Sequence, residues 1–380
     1  DILIIDASKG FMKDGKNNKL RASDIKRIVD VVTARESVCK FSRVVSRDEI
    51  RKNDYNLNIP RYVDSSEEAE SWDIYASMFG GLPTSEIDKL DKYWKAFPLL
   101  REELFENSSK GYCQLARNDI KKSIKEHSDV KNFEKKFQKA FQSFNKYLYD
   151  KLIVNINESS ILKSEEMLSE EMFKRLEDIP LIDKYEAYQL LDDDWTEIAI
   201  DLEIIQTEGT EAIRKVDPLM VTKKKGGKEQ EVQDGWKGHI IPFELVQNTI
   251  LLEEKERIKD KENRLSEIAS EYEEIFDSLT EEEKGFDFVS EDGWVISEVK
   301  RALKSDSIEL ETKEKLETIA KINDEEKSLK AEIKTKSASL ETKTKDIIEN
   351  LSDEQASELL KAKWINPLIQ NIMQLPDRII

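Results

Sequence analysis

The first fifty residues alternate short apolar runs with polar segments. Residues 2–6 contain four successive apolar residues, which predicts a strand buried on both faces. The polar run 9–19 holds two glycines and two asparagines and predicts a loop. Residues 21–38 predict a helix that Ser23 is expected to cap, and residues 41–45 predict a second strand. This order is typical of the tail of an α/β domain. The apolar stripe of the helix consists of Ile25, Ile28, Val29 and Val32.

The two ends of the chain suggest that it is part of something longer. A strand buried on both faces is a poor first element for a domain, because nothing precedes it to cover it. We therefore expect the chain to be a fragment whose N-terminal neighbour is missing. Residues 364–380 carry no helix stop signal and are also expected to continue.

Helical periodicity extends from about residue 85 to residue 205. Thr84 or Ser85 is expected to cap the first helix, with Glu86 and Asp88 nearby. A later stripe repeats aromatic residues at spacings of 4, 4, 3 and 3. Such a stripe can stack bases, but its regular apolar character favours core packing. The first buried face consists of Tyr93, Trp94, Phe97, Leu100 and Phe105, and the later stripe of Phe133, Phe137, Phe141, Phe144 and Tyr147.

Two C-terminal segments, 245–279 and 316–351, carry apolar residues about 3.5 positions apart with Glu and Lys between them. The stretch that joins them would reverse the chain. We therefore predict a long antiparallel coiled-coil hairpin, which would hold a partner or separate two bodies. The heptad positions are Leu251, Ile258, Leu265, Ile268, Tyr272, Ile275 and Leu279, then Leu316, Ile319, Leu329, Ile333, Leu340, Ile347 and Leu351.

Charge changes this picture in one respect. The chain of 380 residues has a net charge of −19, which argues against a general nucleic-acid coat protein. Residues 1–62 hold 14 Lys and Arg against 9 Asp and Glu, a balance of +5, so the other 318 residues carry −24. The basic start indicates either a segment that faces a polyanion or chance. Gly and Pro are scarce, which favours helices.

The thiols and the imidazoles do not form a recognisable site. Cys39 and Cys113 show no pairing or metal spacing, which is typical of a reducing cytoplasm, and a His/Cys metal cluster is nearly excluded. No signal peptide and no apolar run of membrane length is present, so we predict a cytoplasmic protein. His127 lies in a charged helical stretch, and His239 is expected to be structural.

Two charged clusters remain. Lys223–Lys225, Gly226–Gly227 and Lys228 form a basic loop that either touches a phosphate backbone or is a solvated hairpin tip, and the second is favoured. The three carboxylates in 190–195 point in different directions on a helix and cannot converge on a metal. We predict a solvated acidic patch that faces a partner. The chain contains no Gly-x-Gly-x-x-Gly, Walker or Gly-x-Ser-x-Gly motif.

Three stretches resemble one family in the same order. They are "ILIIDASKGF", "NKLRASDIKRIVD" and "FSRVVSRDEIRKNDYNLNIPRYV". Together they resemble the modification (M) subunit of type I restriction–modification systems, the adenine-N6 DNA methyltransferases, late in its methyltransferase domain. "WDIYASMFGGLPTSEIDKLDKYWKAFPLL" and "DGWKGHIIPFELVQ" also look like the C-terminal part of that family. The resemblance is dense to about residue 100 and thin across the heptad segments.

The resemblance implies a division of the chain. It predicts a mainly α protein in which 1–63 is the residual α/β end of a Rossmann-like methyltransferase domain, 64–243 is a helical domain, and 244–380 is the coiled-coil hairpin with a C-terminal helix. The acidic stretch 64–71 would be the boundary.

The resemblance also implies an activity that this chain cannot complete. The intact family uses S-adenosylmethionine, held by a Gly-containing loop, and flips an adenine into an Asn-Pro-Pro-Phe pocket. Both motifs lie upstream of the matching region and neither occurs in this chain. No catalytic, cofactor-binding or metal-binding residue is therefore assigned. The chain alone is expected to bind no cofactor and to be inactive.

The expected role is then to make contacts. In the family two M subunits embrace double-stranded DNA with a specificity (S) subunit, alongside the restriction (R) subunit. Arg61 and Tyr62 are expected to contact phosphate or support the DNA cleft, and Asn56 and Asn58 either face DNA or hold turns. A non-catalytic coiled-coil scaffold is the alternative. The partner-binding candidates are Ile258, Leu265, Ile268, Tyr272, Leu329, Ile333, Leu340 and Ile347.

Overall fold

A computed structural model gives a mainly helical protein with small antiparallel sheets. It describes residues 1–66, 72–109, 111–157, 160–225, 228–290, 293–305 and 308–380, without the side chains of Ser109, Leu162, Lys225 and Lys228. The described residues form two compact units. Unit 1 is Asp1–Thr207 with Lys361–Ile380, and unit 2 is Glu208–Leu360. The mainly α prediction is confirmed, whereas the division at residues 63 and 243 stays a prediction. Residues 67–71 of the expected linker lie outside the described residues.

The first and fourth strands of the chain pair with each other, and a helix lies between them in the sequence. Strands β1 (Ile2–Ile5) and β4 (Ser42–Val45) are antiparallel, with Leu3 opposite Val44. Both predicted strands are confirmed, but burial of the first on both faces is wrong. Ile2 is 43% exposed and only Ile4 is buried, because this two-stranded sheet packs one face on a small core. The Rossmann-like assignment stays a prediction.

The predicted loop 9–19 contains a hairpin instead. Strands β2 (Met12–Asp14) and β3 (Asn17–Lys19) pair antiparallel around Gly15, whose φ of 59° suits a tight turn. All six strand residues are exposed, so the sequence lacks the alternation of apolar and polar side chains that would have predicted these strands.

Helix α1 (Ala22–Ala34) is confirmed, but its cap and its buried face differ from the prediction. Arg21 precedes the helix, and its backbone N–H donates to the Asp24 carboxylate at 2.9 Å, so Ser23 lies inside the first turn. Most of the predicted stripe is exposed, and Val31 is buried in its place. Helix α2 (Arg47–Lys52) follows β4, and its N-cap Ser46 accepts a hydrogen bond from the backbone of Glu49.

The stretch predicted to be helical from residue 85 contains two strands of a three-stranded sheet. The strand order is β5–β7–β6, and the second hairpin turns at Gly111, with a φ of 89°. Thr84 and Ser85 do not cap the first helix, since its N-cap is Pro83 and no side chain bonds there. Pro98 lies between two short helices where one long helix was predicted. The elements are α3 (Ile74–Phe79), β5 (Leu82–Pro83), α4 (Thr84–Asp88), α5 (Asp91–Ala96), α6 (Leu100–Leu104), β6 (Phe105–Ser109) and β7 (Tyr112–Leu115).

The helices that follow supply the main core of unit 1. The aromatic stripe packs there as predicted: its four phenylalanines are buried, and Tyr147 is partly buried. Phe137 and Phe141 lie 4.8 Å apart between ring centroids, and Phe141 meets Phe144 edge-on at 5.5 Å. The helices are α7 (Ile120–Glu126), α8 (Ser128–Phe141), α9 (Phe144–Tyr149), α10 (Ile161–Leu176) and α11 (Lys184–Glu208).

Unit 2 combines a long hairpin with long helices. Its elements are β8 (Val216–Lys225), β9 (Lys228–Gly238), α12 (Phe243–Thr249), α13 (Leu252–Asp277), β10 (Val289–Ser290), β11 (Gly293–Trp294), α14 (Ile296–Ala302), α15 (Leu310–Glu349) and α16 (Asp353–Leu360). The chain then returns to unit 1 with α17 (Asn366–Met373).

Helices α13 and α15 are antiparallel neighbours. Lys261 pairs with Glu332 at 2.7 Å, whereas Arg264, farther along α13, pairs with Glu325, earlier on α15, at 2.8 Å. Lys343 reaches back to Glu254 at 3.3 Å. The antiparallel pair therefore exists, and its description as a coiled coil stays a prediction. At one end it packs around Phe288, Val299, Leu316 and Ile319.

Candidate functional site

The segment 53–63 folds into a compact turn after α2. The backbone N–H of Tyr55 donates to the Ile50 carbonyl at 3.0 Å, and that of Asn56 donates to the Asn53 carbonyl at 3.0 Å. Asp54 and Tyr55 both have left-handed backbone angles, with φ of 52° and 57°. A short 3-10 turn, Ile59–Arg61, then leads back to the core.

Two of the predicted DNA-facing residues shape this turn. The Asn56 side chain accepts a hydrogen bond from the backbone N–H of Asn58 at 2.9 Å, as the turn-holding alternative predicted. The Tyr62 hydroxyl donates to the Asn56 carbonyl at 2.6 Å, and Tyr62 is only 5% exposed. Tyr62 therefore supports the segment from within, and its expected role at DNA stays a prediction.

Three polar residues of the segment are exposed to solvent. Asn56, Asn58 and Arg61 are exposed, and the Arg61 guanidinium donates to the Asn53 side chain at 3.2 Å. Tyr55, 61% exposed, and Leu57, 53% exposed, lie between them. The surface thus mixes amide, guanidinium and aromatic groups, which suits contacts to a nucleic-acid backbone or to another protein surface. A DNA role for these residues stays a prediction.

Helix α1 packs its polar side into unit 1. The Arg27 guanidinium lies 4.2 Å from the centre of the Phe41 ring and 5.7 Å from that of Tyr185. The Lys26 ammonium lies 5.4 Å from the Phe173 ring, and the backbone N–H of Ser23 donates to Gln189 at 3.0 Å. Burial raises the pKa of Tyr185 to about 12, and Asp30 on α1 adds to the shift. Lys26, Arg27 and Ser23 thus join α1 to α10 and α11 through polar and cation–π contacts.

The apolar side of α1 is left open. Ile25, Val29 and Val32 are 50%, 52% and 54% exposed, and their spacing places them on one face of the helix. An amphipathic helix normally buries its apolar face, so this inversion is the strongest structural anomaly of the N-terminal segment. Sequence reasoning identified the stripe and missed that nothing described in this chain covers it.

The short helix α3 is a second exposed apolar feature. Trp72, Ile74, Met78 and Phe79 are all at least 70% exposed. Tyr75 is the member held in place, since its ring lies 4.8 Å from that of Tyr112. No role was predicted for these residues from the sequence.

A cavity of about 350 Å³ beside β4 is lined by Lys40, Arg43 and Asp64, among others. The Gly-containing loop that the predicted family is expected to use for its methyl donor is not in the sequence. We therefore derive no step of methyl transfer from this chain.

The partner-binding candidates lie along α13 and α15. Three of them are buried, namely Ile258, Ile268 and Leu340. The other five are partly buried: Leu265, Tyr272, Leu329, Ile333 and Ile347. A partner would meet only part of each of these side chains while the two helices stay paired. Their partner-binding role stays a prediction.

The two histidines have separate structural surroundings. His127 is 6% exposed, accepts from the backbone N–H of Asp129 at 3.1 Å, and lies 3.3 Å from Glu103. His239 lies 2.7 Å from the Asp217 carboxylate and 3.3 Å from Glu208. The hydrogen bond with Asp217 raises the pKa of His239 above its ordinary value.

The basic loop is part of the β8–β9 hairpin. Lys223 pairs with Asp234 at 2.9 Å and Lys224 lies 3.9 Å from Glu229, so two of its cations have carboxylate neighbours. Gly226–Gly227 and the side chains of Lys225 and Lys228 lie outside the described residues. These pairs agree with the favoured hairpin interpretation.

The acidic run 190–195 is less solvated than predicted. Asp193 is exposed, but Asp192 and Asp194 are partly buried on α11. Burial raises the pKa of both Asp192 and Asp194, with help from neighbouring carboxylates. Only Asp193 thus matches a solvated patch, because the two flanking residues turn toward the core.

In the described part of the chain, no group of three or more His, Cys, Asp or Glu side chains is placed to hold a metal ion. No helix among the described residues has the length and apolar character needed to cross a membrane.

Comparison with known proteins places the similarity at the N-terminal end. Residues 1–71 match the N-6 DNA Methylase family. The chain is 38% identical over 73 residues to the type I restriction enzyme MpnII methylase subunit of Mycoplasma pneumoniae, which is 19% of this chain and 13% of that protein. Over 96 residues it is 42% identical to the MjaVII methylase subunit of Methanocaldococcus jannaschii, 24% of this chain and 17% of the relative.

A third relative, the MjaVIII methylase subunit of the same archaeon, is 36% identical over 109 residues, 28% of this chain and 18% of the relative. The aligned regions thus cover between 13% and 18% of these relatives. No solved structure matches the chain. The N-terminal segment is therefore similar to N-6 DNA methylases, and the resemblance expected over the remaining chain stays a prediction.

Proposed function

We propose that this chain is the C-terminal part of the M subunit of a type I restriction–modification DNA methyltransferase. The observation that carries the proposal is the match of residues 1–71 to the N-6 DNA Methylase family. The assembled enzyme would transfer a methyl group from S-adenosylmethionine to adenine N6. The segment that holds the methyl donor and the flipped adenine would be supplied by another part of the protein.

The open apolar face of α1 supports this division. Ile25, Val29 and Val32 are half exposed, while the opposite, polar side of the helix is packed. In the intact subunit the rest of the methyltransferase domain would cover this face. Each of these side chains would contribute about 1 kcal/mol through the exposed half that becomes buried.

The remaining parts would serve assembly. The charge of −24 after residue 62 suits contacts to protein more than to DNA. The S subunit would dock along α13 and α15, and the segment around Asn56, Asn58 and Arg61 would lie near DNA. The R subunit and a second M subunit would complete the complex.

A binding experiment tests the division directly. The segment that carries the Asn-Pro-Pro-Phe motif would be co-expressed with this chain, and the complex isolated through a tag on either part. We expect a stable complex that Ile25→Lys with Val29→Glu abolishes. The matched control introduces one Lys and one Glu at the same i, i+4 spacing on exposed polar positions of α13, Ser266→Lys and Ser270→Glu. A complex that forms equally well with the Ile25→Lys, Val29→Glu variant would contradict the proposal.

A non-catalytic scaffold is the second candidate. The paired helices α13 and α15, held by three cross-helix ion pairs, favour it because such a pair can space two bodies without chemistry. It predicts that the chain binds its partner without any methyltransferase segment and leaves adenine methylation unchanged when deleted.

A further inference from the structure

Unit 2 contains a cavity to which the proposed function assigns no ligand. It has a volume of about 630 Å³ and lies where α13, α15 and the β10–β11 hairpin meet. This volume is within the usual range of ligand sites, roughly 300–1,000 Å³. The cavity is open on one side, so a ligand can enter without unfolding the unit.

Three aromatic residues line the cavity: Tyr272, Phe276 and Trp294. The Trp294 ring meets Phe276 edge-on at 6.0 Å, and its indole N–H donates to the Tyr272 carbonyl at 3.2 Å. Trp294 also stacks on Phe288 at 6.4 Å. The indole is therefore held in a fixed position, which gives a preformed surface for a flat or cationic group.

A buried acceptor without a partner lies in the same wall. Asn323 is 8% exposed and lines the cavity. It shares a hydrogen bond with the Tyr272 hydroxyl, which in turn donates to Glu326 at 3.2 Å. Because that hydroxyl donates to Glu326, the Asn323 amide is the donor in its bond to the tyrosine. Its Oδ1 is left with no hydrogen-bond partner in the described structure.

The charged residues of the cavity are all acidic. Glu273, Asp277 and Glu326 line it, and no Lys or Arg is among the described lining residues. Glu326 already accepts from Tyr272 and Lys330. Glu273 and Asp277 are exposed, lie one turn apart on α13, and form no ion pair with any residue that the structure describes. The cavity thus offers acceptors and negative charge to a donor-rich cation.

We propose that this cavity binds the guanidinium of an arginine side chain on a protein partner. A guanidinium has five N–H donors in a plane, so it can stack on the indole while it donates to the Asn323 Oδ1 and to the rim carboxylates. An ammonium has no plane to stack and fewer donors. The negative charge of the chain after residue 62 would attract such a partner. This inference does not depend on the proposed methyltransferase role.

The ligand side of the test uses matched small molecules on the full chain. Isothermal titration calorimetry would compare N-acetyl-arginine methylamide with the corresponding blocked citrulline, which has the same shape and no charge, and with spermidine. We expect blocked arginine to bind with a Kd on the order of 1 mM, as its size allows. Blocked citrulline should bind at least about tenfold more weakly, because the charge-assisted bonds are lost.

The protein side of the test asks where the arginine binds. Glu273→Gln with Asp277→Asn should weaken blocked arginine by about tenfold. Glu314→Gln with Glu317→Gln removes the same charge from exposed positions of α15 outside the cavity and should leave the Kd unchanged. Asn323→Leu should weaken the binding of blocked arginine more than the binding of blocked citrulline. A merely structural role of Asn323 would weaken both equally. Circular dichroism would confirm that each variant is folded.

Several outcomes would overturn the proposal. Equal affinities for blocked arginine and blocked citrulline would show that the cavity does not recognise the guanidinium. Binding of spermidine without binding of blocked arginine would assign the cavity to a free polyamine instead. Equal loss in the rim variant and the α15 control would mean general attraction to an acidic surface. No heat with any ligand at about 10 mM would exclude a cation site of the expected strength.

Discussion

The Tyr62 hydroxyl donates a hydrogen bond to the carbonyl oxygen of Asn56 across 2.6 Å, and this contact joins the exposed turn to a buried residue of the N-terminal segment. Tyr62 packs with Ile4, Val45, Ile50 and Val63, which come from β1, β4, α2 and the end of the turn. A stretch that looked like a DNA-contacting surface is thus held by a residue that faces inward.

Tyr62→Phe should therefore destabilise the N-terminal segment. The substitution keeps the ring in the core and leaves the Asn56 carbonyl without its donor, which should cost about 1 kcal/mol. Tyr55→Phe is the matched control, since Tyr55 is 61% exposed and should change stability by less than about 0.5 kcal/mol. Urea unfolding of both variants would measure the difference. Equal losses would show that the hydroxyl bond does not hold the turn.

The two valines of α1 at positions 29 and 31 should respond differently to truncation. Val31 is 4% exposed and Val29 is 52% exposed. Val31→Ala should lower the free energy of unfolding by about 1–2 kcal/mol, because two buried methyl groups are lost. Val29→Ala should change it by less than about 0.5 kcal/mol in this chain. Chemical denaturation would test both, and a larger loss at Val29 would mean that the apolar face is covered after all.

His239 should make unit 2 more stable at acid than at alkaline pH. Its pKa is raised above 6.5 by the Asp217 carboxylate, so folding is favoured while the imidazole is protonated in both states. That contribution is complete below the unfolded value and is lost as pH rises through the folded pKa. The chain has two histidines, so proton NMR can titrate His239 directly, with one variant for assignment.

Asp217→Asn is the matching control for this titration. The variant should bring the pKa of His239 down and reduce the fall in stability between about pH 6 and pH 8. If the histidine of the parent chain titrated at or below 6.5, the contact with Asp217 would not be formed in solution.

Arg264 should link α13 to α15 through charge. Its guanidinium lies 2.8 Å from Glu325 on α15 and 2.6 Å from Glu271 on its own helix. Arg264→Met should lower the melting temperature at low salt, and the difference should shrink in about 0.5 M NaCl, where exposed pairs are screened. Arg257→Met is the control, because Arg257 pairs only within α13 among the ion pairs the structure describes. Equal and salt-independent effects would argue against the cross-helix pair.

The sequence predicted the elements whose pattern is local. The strand at Ser42–Val45 and the phenylalanine stripe at helical spacing were both found where the periodicity indicated. The antiparallel course of α13 and α15 was predicted from their two heptad segments together with the reversing stretch between them. The strand and the phenylalanine stripe depend on neighbours within a few turns, which a sequence displays directly.

The features that were missed depend on context. The hairpin Met12–Lys19 has no apolar alternation, since both strands are exposed. The inverted packing of α1 depends on Phe41, Phe173 and Tyr185, whose rings accept the polar side through cation–π contacts. The cavity of unit 2 is lined by both Asn323 and Trp294, and no spacing in the sequence predicts that these two residues share a site.

Reconstituted methyl transfer would show whether this chain is part of an M subunit. The Asn-Pro-Pro-Phe segment, the specificity subunit encoded in the same operon, and this chain would be combined with DNA and labelled S-adenosylmethionine. We expect N6-methyladenine when all three are present, and none when this chain is omitted or added alone. Methylation at the same rate without this chain would contradict its assignment as the C-terminal part of an M subunit.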